Sequence, residues 1–73
     1  MMPIINIPLT GLCIKELMEQ RGFSVKDIQT QLGLAVPSGI YKWLAGETLP
    51  SIDHLVELAV VFDVKIDDIL VVE

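Results

Sequence analysis

A single cysteine, Cys13, occurs in 73 residues. An intramolecular disulfide is therefore excluded, and a reducing, cytoplasmic setting is the natural expectation. Long apolar runs are missing as well. Stretches such as 59–62 and 69–72 fall far short of the roughly 20 residues that cross a bilayer. The first residues show neither the basic region nor the apolar stretch of a signal peptide, so no membrane association is expected. Cations are scarce: five Lys and Arg stand against ten Asp and Glu, for a formal charge of −5. The overall basic footprint of a nucleic-acid binder is absent. The deficit is local, however. Residues 1–50 are neutral, with Lys15, Arg21, Lys26 and Lys42 balanced by Glu16, Glu19, Asp27 and Glu47. The acidity belongs to residues 51–73, where Lys65 faces six carboxylates.

Catalytic equipment is also sparse. Nucleophilic catalysis needs a base beside a nucleophile, and the lone His54 and lone Cys13 lie in no catalytic signature. Their spacing with nearby acids matches no structural zinc pattern. The five glycines form no phosphate-cradling loop, since Gly22, Gly33 and Gly46 sit where helices should stop. No enzyme activity, cofactor, metal site or small-molecule substrate is expected.

What the chain does have is apolar content, 52 % of its residues. So short a chain needs dense packing or a partner, and this surplus points to apolar surface covered by a second chain. Residues Pro3 to Pro8 favour an extended segment. With Thr10 as N-cap, Ile14, Leu17 and Met18 recur at helical spacing and Gly22 closes a first helix. Ser24 and Asp27 form a capping-box pattern opening a second helix, with Ile28 and Leu32 as its apolar pair and Gly33 as its stop. After Leu34-Ala35-Val36, Pro37 suits the first position of a third helix. That helix turns Ile40, Trp43 and Leu44 one way, and Ser38, Tyr41, Lys42 and Ala45 the other.

Ser51 caps a fourth helix, which carries Ile52, Leu55, Leu58, Ala59 and Phe62 inward and stops at Asp63 in the left-handed region. Asp67 and Asp68 open a short fifth helix ending near Leu70, and Val71 and Val72 read as extended. The expected core joins Ile14, Leu17, Ile28, Leu32, Ile40, Leu44, Leu55, Ala59, Phe62 and Ile69. Ile4-Ile5 and Val71-Val72 are candidates to pair with each other, within one chain or between two.

A short helix, a glycine, a three-residue turn and a second short helix with a polar outer stripe make a helix-turn-helix layout. In that layout one helix braces and the next presents side chains to the major groove. Residues 10–70 resemble the XRE family of lambda-repressor-like domains. The matching stretches are Ile14-Lys15-Glu16-Leu17; Arg21-Gly22-Phe23-Ser24 with Asp27-Ile28; Leu32-Gly33-Leu34; Ile40-Tyr41-Lys42-Trp43 with Gly46; Leu49-Pro50-Ser51-Ile52-Asp53-His54-Leu55; and Val64 with Asp67-Asp68-Ile69-Leu70. The chain is most similar to small single-domain bacterial regulators with Pro at the start of the third helix.

The resemblance implies an all-α, five-helix domain over residues 10–70, an extended arm over 1–9 and a tail over 71–73. It also implies sequence-specific binding of double-stranded DNA, as a transcriptional regulator of the repressor kind. Lys42 is the central candidate for contact, able to donate to guanine or to a phosphate. Ser38 and Tyr41 flank it, and Thr48 and Lys26 are candidate phosphate donors.

Several positions depart from the family pattern. Ala35 and Val36 replace a Ser or Thr cap, Ser38 replaces a base-reading Gln, Val25 replaces a phosphate-contacting Gln, and Glu47 stands in a loop that is often basic. An alternative reading follows: a protein-interaction module on the same scaffold. A homodimer is expected in either case, with Val56 and Val60 as a candidate face.

Overall fold

The computed structural model describes residues 2–73. The chain is all-helical: α1 (Ile7–Arg21), α2 (Val25–Leu32), α3 (Ser38–Leu44), α4 (Ile52–Phe62) and a single 3₁₀ turn at Ile66–Asp68, which is the short fifth helix. Five helical elements stand in the expected order.

Most helix ends follow from local chemistry. In α2, the Ser24 hydroxyl accepts the Asp27 N–H while the Asp27 carboxylate accepts the Ser24 N–H, so two orphan donors are satisfied reciprocally. In α4, the Ser51 hydroxyl accepts the His54 N–H. Asp63 takes the left-handed C-cap at φ 55°. The C-terminus of α4 gains a partner from elsewhere, because the Arg21 guanidinium donates to the Phe62 carbonyl, placing a cation where the helix dipole favours one.

The start of α1 is a correction. Thr10 is not its cap. Asn6 is, with its side-chain oxygen accepting the Leu9 N–H at 2.9 Å, and Pro8 lies in the first turn. Proline is tolerated there because its missing N–H has no intrahelical acceptor. The extended segment therefore ends at Asn6. Thr10 is instead fully buried within the helix, and its hydroxyl accepts the Val71 N–H at 3.0 Å. It holds the C-terminal segment in place.

The core comprises Ile14, Met18, Ile28, Leu32, Ile40, Trp43, Leu55, Leu58, Phe62 and Ile69. Leu17, Leu44 and Ala59, expected within it, pack against it partly buried. Val25 does the same and helps to close the core. Ile52 does not turn inward: it is 78 % exposed. As the first residue of α4 it lies on the row Ile52, Val56, Val60, away from Leu55, Leu58 and Phe62. Phe23 and Phe62 meet edge-on with centroids 6.0 Å apart, tying the α1–α2 link to α4.

Glycine does one task that helix stops do not explain. Gly11 is buried in α1, and a Cβ there would run into the Trp43 carbonyl at the end of α3. Gly46, at φ 74°, also meets Pro8 closely, since a Cβ there would lie 2.8 Å from the Pro8 Cα. These two positions set how near α1 comes to α3.

Candidate nucleic-acid interface

The α2–α3 unit is built around a turn with no side-chain cap of its own. The Gly33 N–H reaches the Thr30 carbonyl and the Leu34 N–H the Gln29 carbonyl, which closes α2. The Gln29 side-chain amide then donates to the carbonyls of Leu34 and Ala35, each at 3.3 Å. One side chain thus satisfies two turn acceptors that would otherwise need water. Nothing in the composition marks Gln29 for this role; the signal is only that a polar side chain near the end of α2 can reach back over the turn.

Pro37 is the N-cap of α3 and not its first helical residue, with φ −87° and ψ 1°. Its carbonyl accepts the Tyr41 N–H and starts the helix. Neither Pro37, Val36 nor Ala35 has a side-chain oxygen, so no side-chain cap forms. Ser38 is consequently the first helical residue, and its hydroxyl is not consumed in capping.

Ile40 and Trp43 anchor α3 in the core while Ser38, Tyr41, Lys42 and Ala45 stay exposed. Trp43 also packs against His54, ring centroids 5.5 Å apart. Its indole is a core group facing α4, as its position beside Ile40 and Leu44 implies. Tyr41 is 57 % exposed, so its ring is available on the surface. Thr48 is drawn to the same end of the helix, because its N–H and that of Glu47 both point to the Lys42 carbonyl. Lys26 is exposed in the first turn of α2. The structure thus gathers Ser38, Tyr41, Lys42 and Thr48 on α3 and its trailing loop, with Lys26 on the bracing helix. None of the side-chain hydrogen bonds among the described residues engages these five.

No ligand-sized cavity opens among the described residues, and no three His, Cys, Asp or Glu side chains gather to hold a metal ion. Cys13 is half-buried and donates to the Asp68 carbonyl at 3.2 Å. Desolvation, then the charges of Glu16 and Asp68, push its thiol above the ordinary value. That is the reverse of what activates a nucleophilic thiolate.

A family model described as helix-turn-helix matches residues 14–69. The chain belongs to the XRE-type helix-turn-helix family. No curated protein and no solved structure matches it. The family is one of DNA-binding regulators and is generally non-enzymatic. The match begins within α1 and ends at Ile69, so it takes in the whole α2–turn–α3 unit and leaves the two extended termini outside. No helix among the described residues is long and apolar enough to cross a membrane.

Proposed function

We propose that this helix-turn-helix chain is a cytoplasmic regulator of transcription, acting as a repressor. It binds double-stranded DNA sequence-specifically by inserting α3 in the major groove. The observation that carries this reading is the outward stripe of α3: Ser38, Tyr41 and Lys42 are exposed, and none spends its polar group inside the protein. Lys42 reads a guanine or grips a phosphate, Ser38 and Tyr41 flank it, and Thr48 and Lys26 bond phosphates. A homodimer would set two such helices about one DNA turn apart, roughly 34 Å, and so call for a near-palindromic site.

Two apolar surfaces are available for the dimer: the α4 row carrying Val56 and Val60, and the paired terminal segments. Selection of bound duplexes from a random pool at stated salt tests the reading. A near-palindromic consensus is the expected result, and failure to bind any duplex at low salt would reject it.

One observation favours a second reading, a protein-interaction module. Ile52, Val56 and Val60 form an exposed row on α4, Val60 being 76 % exposed. Asp53 and Glu57 form the adjoining row, an i, i+4 pair. Such a face suits a basic, apolar partner. Binding of another protein by a variant that has lost all duplex affinity would favour this reading.

A further inference from the structure

The two extended termini form a small antiparallel ribbon in which Ile5 stands opposite Val72. The Asn6 N–H donates to the Val71 carbonyl at 2.7 Å, and the Glu73 N–H to the Ile4 carbonyl at 2.8 Å. This pattern determines where the remaining backbone groups point. Along an antiparallel strand, residues alternate between those bonded to the partner strand and those whose N–H and C=O face away. The bonds at Ile4 and Asn6 face inward, so both groups of Ile5 face outward. Neither has a backbone partner among the described residues. Ile5 therefore presents one donor and one acceptor on an open edge. Beside it Ile4 is 64 % and Met2 83 % exposed. An open, apolar strand edge is a template for another strand.

The occupant that fits is a second copy of this chain. An antiparallel edge is self-complementary about a twofold axis: Ile5 of one copy faces Ile5 of the other, N–H to C=O in both directions. Twofold pairing also brings each charge near its own copy. Residues 2–5, Met-Pro-Ile-Ile, carry no side-chain charge in a chain of net −5, and the nearby Glu73 carboxylate is held by the Asn6 side-chain amide at 2.8 Å. The α4 row, by contrast, lies beside Asp53 and Glu57. Pro3 has no N–H and bounds the ladder, which favours a closed pair over an open-ended sheet.

We infer that the chain dimerises by antiparallel pairing of its Ile5 edges, with the two ribbons merging into one four-stranded sheet. The inference rests on the homodimer reading above and names its interface. It also bears on DNA recognition. Pro8, three residues on from Ile5, lies against Gly46 just past the end of α3. The edge is thereby coupled to the recognition helix, and pairing through it sets the separation of the two helices.

Sedimentation of the full chain over a concentration series, combined with amide exchange at Ile5, tests the interface. Ile5→Pro deletes the outward N–H and leaves the Asn6 and Glu73 hydrogen bonds intact. The parent is expected to reach twice its 8.1 kDa mass, with the Ile5 amide exchanging more slowly as concentration rises. Ile5→Pro should stay at monomer mass with the parent's helical circular dichroism, and Val60→Glu should remain dimeric. A dimeric parent whose Ile5 amide exchanges at the same rate at every concentration overturns the edge pairing while sparing the homodimer reading. So does a folded Ile5→Pro variant that still dimerises. A parent that is monomeric throughout overturns both. If Ile5→Pro fails to fold, the concentration dependence of the Ile5 amide in the parent decides the question alone.

Discussion

At the scale of single residues, Lys42 and Gly11 represent two kinds of constraint. On the proposed reading, Lys42 answers to what lies outside the protein. Its neighbours Ile40 and Trp43 fix α3 in the core, which leaves the ammonium on the opposite face with no internal partner. If Lys42 reads a guanine, Lys42→Ala should weaken the selected site by about 1–3 kcal/mol and relax preference at one base position. If it grips only a phosphate, affinity should fall uniformly across sequences and the salt slope should drop by about one. Titrations of both proteins on the selected duplex and on mismatched ones, at several salt concentrations, distinguish the outcomes; an unchanged affinity and slope would remove Lys42 from the interface.

Gly11 is set by what lies inside. Alanine normally stabilises a helix interior over glycine by about 1 kcal/mol. Here the added Cβ meets the Trp43 backbone carbonyl, which cannot swing aside as a side-chain tip could. Gly11→Ala should therefore destabilise the fold, by about 1–3 kcal/mol as overpacking usually does. Urea denaturation measures the difference.

At the scale of elements, α2 shows what holds a short helix in place. It has eight residues, too few to persist alone, and it depends on its capping box and on Ile28 and Leu32. Ser24→Ala should cost about 1 kcal/mol in thermal or urea unfolding. The box also has a pH signature. Hydrogen bonds from Ser24, the backbone one first and the side-chain one second, hold the Asp27 carboxyl below its ordinary 3.8. A depressed folded-state value means that the charged form stabilises the fold. That contribution is complete above pH 3.8 and disappears as pH falls through the folded-state value. Parent and Asp27→Asn unfolding curves should accordingly converge as the solution is acidified below that point, and a gap that stays constant down to the lowest pH would contradict the assignment. α3 has no comparable device at its start. It forms because Ile40 and Trp43 are buried and because Gln29 satisfies the turn that feeds it.

For the whole molecule, charge distribution governs association. Lys26 and Lys42 are the cations of the α2–α3 unit, and Arg21, at the end of α1, is engaged at the Phe62 carbonyl. Each neutralised phosphate contributes roughly −0.9 to the slope of log K against log salt on duplex DNA, so a subunit using both should give roughly −2. A much steeper slope in a salt series on the selected duplex would mean that other cations, such as Lys15 or Lys65, reach the backbone. The acidic α4 and C-terminal third must also face away from the duplex, because like charge near the phosphates opposes docking.

What the sequence determined by itself is local. Gly22, Gly33 and Asp63 stop helices because a left-handed residue can be recognised without knowing what packs on it. Ser24 and Ser51 start helices because each cap bond spans only three residues. The order of short helix, turn and short helix, and the outward stripe Ser38, Tyr41, Lys42, follow from periodicity over a few turns. Tertiary structure decided the rest, and each instance is a contact between residues far apart in the chain. The Thr10 hydroxyl bonds a backbone group 61 residues away, and Arg21 one 41 residues away. Neither partner is visible in the local pattern, so Thr10 reads as a cap and Arg21 only as one charge in the balance of residues 1–50. Ile52 belongs by type in a core, but the rotation of α4 about Leu58 and Phe62 turns it to the surface. Gly11 matters only because α3 ends above it. The open edge at Ile5 exists only because Val72 returns to pair with one side of the strand and leaves the other bare.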